Sequence, residues 1–244
     1  MNKSASVNYC HGYAKQQDNK INKYEKSDLV DLPETHELII RLDGKGITKH
    51  FKSKLELFSV AFHCAMRRTV AAIQKYFPYI RFIYSAKDEL SILIDRRIFQ
   101  DDDYLSESKQ IRVEKILPII AGYVSAIFSQ YIPQCLKKIE NEFFSFDARA
   151  IVVPKEKLMD YFHTRQAYAI TAAVCRMSSF YKLPIKYPAY NEFNNYIRKN
   201  DVKIQSCPRY VSHGYVFYFN HKKERITEEA DEFYQLWHKY ARYI

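Results

Sequence analysis

The chain has five glycines and one tryptophan in 244 residues. So little glycine excludes collagen-like and glycine-rich low-complexity architectures, and it implies that each glycine stands where the backbone demands it. Neither GxxxxGK[ST] nor GxGxxG occurs, so the sequence supports neither a P-loop NTPase nor a dinucleotide-binding crossover. The five cysteines (Cys10, Cys64, Cys135, Cys175, Cys207) are odd in number, far apart and without a CxxC. That pattern argues against a disulfide framework or a zinc knuckle and for free thiols in a reducing cytosol. The longest apolar stretch, Ile116 to Phe128, is too short to cross a bilayer, and MNKSASVNYCHGY has no apolar signal core. The expectation is a soluble cytoplasmic protein with no membrane partner.

Acidic residues are also in deficit: 28 Asp+Glu face 38 Lys+Arg, leaving a net charge of +10. An excess of this size favours polyanions, such as RNA, DNA, nucleotides or an anionic membrane surface, and by itself fits all of these. What the chain has in abundance is apolar and aromatic side chains, 47% and 16% of the total. That is enough to bury a substantial core, and it excludes global disorder.

Residues 1–34 are polar and read as a flexible or peripherally docked arm. HELIIRL (36–42) reads as a strand, followed by Asp43-Gly44-Lys45-Gly46. The apolar spacing predicts a helix from Ser53 to Phe77, with Ser53 and Glu56 as a capping box and Pro78 as its stop. IRFIYS (80–85) and LSILI (90–94) read as a hairpin turned at Lys87-Asp88. A long apolar helix is expected over 107–139, with Pro118 and Pro133 as kinks or breaks. FFSFDARAIVV (143–153) reads as a fourth strand and 155–181 as a further helix. Beyond them come a helix near 189–199, a strand YVFYF (215–219) and a C-terminal helix from about Thr227.

The order β-α-β-β-α-β predicts an α+β fold. It is the ferredoxin-like (split βαβ) arrangement: a palm-type antiparallel sheet with helices on one face, plus a C-terminal α-rich extension. The expected units are the arm (1–34), a palm-like catalytic core (35–153), and a helical extension with a small β element (154–244) in the same globular body.

In such a sheet the end of the first strand lies beside the hairpin turn, bringing Asp43 and Asp88 close. Two unpaired carboxylates repel, and a divalent cation removes the conflict. A pair of such ions about 3.5–4 Å apart is the usual clamp for phosphoryl or nucleotidyl transfer. The plainer reading makes Asp43 and Asp88 turn residues only. Arg41, Lys45, Lys49, Lys52 and Lys54 crowd the same loop, where a triphosphate needs cations, and Gly44 and Gly46 let backbone N–H groups approach phosphate oxygens. His50 and His63 read as surface or satisfied histidines, and Asp101-Asp102-Asp103 as a solvated loop. Arg149 has a plain reading too, as the ion-pair partner of Asp147 or another surface acid, and Arg112 and Lys115 as the solvated face of a helix.

The runs HELIIRLDGKGITKHFK, FIYSAKDELSILI and FFSFDARAIVVPKEKLMDYFHTRQ stand in the order and spacing of three known blocks. They resemble the tRNA-histidine guanylyltransferase family and its Thg1-like relatives, which carry RxDG(R/K)xF, SDExS and SFDxR blocks, the last followed by a W-R-Q helix. CPRYVSHGYVFYF (207–219) extends the resemblance. It implies nucleotide addition to an RNA 5′ end in the 3′–5′ direction, with two Mg²⁺ ions and with GTP and ATP as substrates. Mapped by motif, Asp43 and Asp88 would hold metal with the Gly44 carbonyl, and Glu89 would be a third carboxylate of the catalytic block. Arg41, Lys45, Gly46, Lys49, Lys54, Lys87, Arg112 and Lys115 would contact triphosphate or the activated end. Arg149 and Arg165 would contact RNA. The partner would be the 5′ end of tRNA or a tRNA-like RNA, and the assembly a homotetramer built as a dimer of dimers.

The chain departs from the family pattern at named places. Lys87 stands for the Ser of SDExS, Thr164 for the Trp of W-R-Q, and Ser212 for the Arg before the Gly turn. Arg165 to Ala173 lacks the His-Ile-Asn-Asn stretch of eukaryotic members. These changes favour repair-type addition over strict histidine-tRNA guanylylation. Two alternatives stand beside it: a palm-fold nucleotidyltransferase making a small or cyclic nucleotide or modifying another acceptor, and an RNA-binding module with a vestigial site.

Overall fold

The computed structural model describes residues 24–26, 29–47, 59–136, 142–180, 210, 213–219 and 225–230. In chain order the strands and helices are β1 (Glu25–Lys26), β2 (Leu29–Val30), β3 (His36–Lys45), α1 (Val60–Tyr76), β4 (Ile80–Ala86), β5 (Glu89–Ile94), β6 (Ile111–Arg112), α2 (Val113–Cys135), β7 (Ser145–Pro154), α3 (Leu158–Phe180), β8 (Tyr215–Phe219) and β9 (Arg225–Glu229).

Seven strands form one sheet in the order β1-β7-β3-β5-β4-β8-β9, every neighbouring pair antiparallel. The central strand β3 is a nearly continuous apolar run because both of its faces are covered. Leu38, Ile40 and Leu42 join the core formed with α1 and α2, including Phe62, Met66, Val70, Ile120, Val124 and Phe128. Ile39 joins a second core on the other face, with Phe82, Leu93, Ile151 and the α3 residues Leu158, Tyr161 and Phe162. The two helices between the palm strands, α1 and α2, therefore share one face, and α3, which belongs to the expected C-terminal extension, covers the other. The sheet is also wider than the four strands expected. The C-terminal strands β8 and β9 extend it beside β4, and the end of the N-terminal arm closes its other edge as β1.

Three element boundaries differ from expectation, each for a local reason. The helix predicted from Ser53 instead starts at Val60, because Ser59 is extended and its Oγ accepts from the Phe62 N–H at 3.1 Å. That is an N-cap, and it closes the helix start. Residues 48–58, which hold the predicted capping box, lie outside the described residues. The second helix starts at Val113 rather than 107, since a turn intervenes: the Gln110 N–H donates to Ser106 Oγ at 3.0 Å, and Lys109 has φ 61. Pro118 and Pro133 remain inside this helix without ending it. Thr227 lies in β9, paired with Phe217, and not in a helix. There the sheet edge of β8 decides the backbone, overriding local propensity. The helix expected near 189–199 lies outside the described residues.

By length and composition α2 is apolar enough to cross a membrane, being 23 residues long. This corrects the reading of that stretch as too short. Its buried positions, Val113, Ile116, Ile120, Val124, Phe128 and Ile132, recur every three or four residues. That spacing is the single stripe of a helix laid against a core.

Candidate active site

Directly opposed residues of neighbouring strands share a sheet face. Asp43 on β3 stands opposite Glu89 on β5 and opposite Asp147 on β7. One row of the sheet therefore carries three carboxylates, on the face away from α1 and α2. Two residues earlier on β3, Arg41 stands opposite Ser91 and Arg149. A cationic row thus underlies the acidic one. Asp88 joins from the side, in the two-residue turn between Ala86 and Glu89.

The turn is locked to the end of β3. The Gly44 N–H donates to the Asp88 carbonyl at 3.0 Å, and a Cβ on Gly44 would sit 3.0 Å from the Asp88 Cβ and overlap the Ile47 side chain. Gly46 follows with φ 70, a conformation that favours glycine. Both glycines of the loop thus serve geometry. We expect Gly44→Ala to push the Asp88 turn away and to cut NTP turnover at least about tenfold, because small displacements of a reacting group are costly. Gly122→Ala is the control. No atom stands within 4 Å of its added Cβ, so melting should show a neutral or stabilising change of up to about 1 kcal/mol.

The charges are unevenly matched. Asp43 is exposed on one side. Burial on the other, with Glu89 and Asp88 nearby, raises its pKa to about 6 against the opposing pull of Lys87 and Arg41. Burial likewise raises the Asp88 carboxyl, Lys87 partly offsetting it. Glu89 differs. Burial works against its charge, but Arg165, then Arg41 and Lys87, outweigh it and hold the pKa below the ordinary value. The Arg165 guanidinium grips Glu89 with two bonds, Nε to Oε1 at 2.7 Å and a second nitrogen to Oε2. Arg165 is itself buried and lies over the Tyr168 ring, 4.6 Å from its centroid. Tyr161, one turn earlier, shares a hydrogen bond of 2.9 Å with Ser91. Through these two contacts α3 grips β5.

Glu25 gathers the cationic row. Its Oε1 accepts from Arg41 at 3.0 Å, and Arg149 approaches both its oxygens at 3.4 Å. Arg149 also bonds Asp147 at 3.5 Å, as its plain reading had it. Lys45 is exposed on the Asp43 face, two residues beyond it. Lys87 occupies the turn with φ 53, an unusual conformation for a residue with a side chain. Lys49 and Lys54, with Lys52 and His50, lie outside the described residues.

The structure does not bring Arg112 and Lys115 to this site. β5 runs away from the turn before the chain enters α2, so both lie at the His36 end of the sheet. There Arg112 bonds Glu114 at 3.0 Å, and Lys115 donates to the Asp103 carbonyl at 2.7 Å. The ten residues of β3 separate these ends by about 30 Å. Asp101–Asp103 sit at that end too, with Asp101 capping a short 3-10 helix and Asp102 paired to Lys109. His63 is core on the opposite face, ringed by Phe62, Tyr210 and Tyr215, and burial lowers its pKa to about 4. Sequence reasoning missed Glu25, which sits in the expected arm. It also missed the place of Asp147 in the acidic row, although the alternation of Phe146, Asp147, Ala148 and Arg149 already put Asp147 and Arg149 on one face.

Among the described residues no group of three Asp, Glu, His or Cys side chains is arranged to hold a metal ion. Asp43 and Asp88 are two hard oxygen donors whose pKa values are raised by burial first and by the neighbouring carboxylates second. Mg²⁺ suits such a pair, because it usually takes one or two carboxylates and draws its remaining ligands from water and substrate phosphates.

Comparison with curated protein sequences gave no match. Among solved structures, the chain is similar to a bacterial tRNA(His) guanylyltransferase (Thg1)-like protein in complex with GTP: TM-score 0.65, 19% identity, 95% of this chain and 98% of that one. The same description with ATP gives TM-score 0.66 and 18% identity, over 95% and 99% of the chains. The tRNA(His) guanylyltransferase of Saccharomyces cerevisiae gives 0.59 and 15%, over 86% and 95%. At these identities the likeness concerns the fold. The sequence itself matches the family described as tRNAHis guanylyltransferase over residues 18–154, more than half of its length and the whole stretch from β1 to β7. The chain belongs to the tRNAHis guanylyltransferase (Thg1) family.

Proposed function

We propose that this chain is a Mg²⁺-dependent nucleotidyltransferase. It adds nucleotides in the 3′–5′ direction to the 5′ end of tRNA or a tRNA-like RNA, as a repair activity rather than strict histidine-tRNA guanylylation. The observation that carries this reading is the Asp43–Asp88 pair, set at the end of β3 and the β4–β5 turn with carboxyl pKa values raised by burial. The order β7-β3-β5-β4 supports a palm reading, since it is that of a split βαβ sheet with its carboxylates on the face away from α1 and α2.

Asp43 and Asp88 would hold the cations, with the Gly44 carbonyl beside them. Bound there, Mg²⁺ supplies charge neutralisation on the phosphates and lowers the pKa of an attacking hydroxyl. The chain's own residues prepare the site. With a pKa near 6, Asp43 is ionised at neutral pH and ready to bind a cation. Lys45 and Lys87 flank the pair with exposed or half-exposed charge for a polyphosphate. Arg149 keeps an accessible guanidinium beside the acidic row and can exchange Glu25 for a phosphate. Arg41 and Arg165 are buried and already ion-paired, so in this reading they orient the site. The similar bacterial structures are complexes with GTP and with ATP, and we extend both to this chain as substrates.

The test is to incubate the protein with 5′-truncated tRNA and each NTP in turn, then sequence the RNA 5′ ends. The expected result is template-matched nucleotides added at the 5′ end, dependent on Mg²⁺. Unchanged 5′ ends with every NTP would overturn the reading, and an RNA-independent nucleotide product would favour the small-nucleotide alternative.

A further inference from the structure

Two cysteines face each other behind the sheet. Cys64 lies in the second turn of α1, and Cys135 is the last residue of α2. Both are free, half-buried thiols, and burial, then the Cys64 thiol beside it, raise the Cys135 pKa above the ordinary thiol value. Their surroundings fix this juxtaposition independently. Arg68, one turn after Cys64, donates to Gln134 Oε1 at 3.2 Å and lies 5.8 Å from the Tyr131 ring centroid. One turn of α1 is thus docked on the last turn of α2, and the Phe62 and Phe128 rings meet at 5.5 Å on the core side of the same contact.

We propose that Cys64 and Cys135 are a modification site: under oxidation they form a reversible disulfide that ties the start of α1 to the end of α2. With a peroxide as oxidant, one thiolate attacks a peroxide oxygen. The O–O bond breaks and hydroxide leaves to become water, giving a sulfenic acid. The second thiolate then attacks that sulfur. The S–O bond breaks and a second water leaves. Two thiols are oxidised to a disulfide and the peroxide is reduced to two waters. Partial exposure gives the oxidant access, and the neighbouring thiol intercepts the sulfenic acid before it can oxidise further. The link closes a loop that spans most of α1, then β4, β5, β6 and all of α2, so it constrains the unfolded chain strongly. It also clamps the two helices at the end of the sheet that bears Asp43. The inference does not depend on what reaction the site performs.

The test uses the full chain treated with dilute hydrogen peroxide, alkylated, digested without reductant and mapped by mass spectrometry. The expected result is a cross-linked peptide joining Cys64 to Cys135. It should be lost on treatment with dithiothreitol and absent from Cys64→Ser and Cys135→Ser. The oxidised wild type should melt several degrees, roughly 5–10 °C, above the reduced protein. Recovery of both residues as separately alkylated or separately oxidised cysteines would overturn the proposal. So would their bridging to Cys10, Cys175 or Cys207. The wild-type map decides the matter even if a serine variant fails to fold.

Discussion

Asp43→Asn and Asp88→Asn should each lower nucleotide incorporation by on the order of 10³-fold or more while leaving the protein folded, because each removes a charged oxygen donor without changing shape. Incorporation of labelled NTP into RNA measures the loss. Melting curves measure the second half of the expectation, which a purely structural carboxylate would not satisfy. Asp43 is a strained charge, with a pKa raised from 3.8 to about 6 by burial and by Glu89 and Asp88. Between those two values the folded protein binds more protons at this site than the unfolded chain does. Stability contributed by this group therefore falls as pH rises from about 4 to about 6, and the full penalty persists above. The Asn variant lacks that penalty. The melting temperature of Asp43→Asn relative to wild type should thus climb across that pH window and stay high at neutral pH. Added Mg²⁺ should raise the wild type more than the variant. A flat difference across the window, or full activity in either variant, would remove Asp43 and Asp88 from the chemistry.

Arg165→Ala should be among the most destabilising single changes in the chain, by about 3–5 kcal/mol, because it strands the buried Glu89 carboxylate without its partner. Denaturant unfolding measures this. Arg165→Met combined with Glu89→Gln removes both charges and should recover most of the loss, since desolvation of two ions is then no longer required. Ala alone also removes one of the two polar contacts by which α3 grips β5, leaving Tyr161–Ser91, so residual activity should fall with stability. In the double variant, stability and activity should separate if Glu89 touches substrate or cation. They should recover together if the pair only holds the turn. A loss below about 1 kcal/mol for Arg165→Ala would mean that solvent reaches the pair freely, as at an ordinary surface salt bridge.

The central strands were legible because their signals are local. HELIIRL, IRFIYS and LSILI combine β-branched and aromatic residues between turn signals, and Lys87-Asp88 marks the turn between two of them. The structure extends these strands by only a few residues, to His36–Lys45, Ile80–Ala86 and Glu89–Ile94. Helix limits were harder. The spacing points to Ser53 as the N-cap, whereas the hydrogen bond to the Phe62 N–H marks Ser59, and only tertiary structure shows that bond. Thr227 sits in a segment with helical propensity, yet an edge with unpaired backbone groups at β8 turns it into a strand.

The sequence by itself determined the α+β class, the pair of acids one per turn, the basic loop around them and the family resemblance, all carried by residues close in the chain. Only the tertiary structure decided what those residues do to one another. It put Asp147 in line with Asp43 and Glu89, spent Arg165 on Glu89, drew Glu25 from the arm onto Arg41 and Arg149, and sent Arg112 and Lys115 to the far end of the sheet. The physical reason is that charge acts through space over a few ångströms. Strand register and helix placement decide which charges come within that reach, and a linear motif records neither.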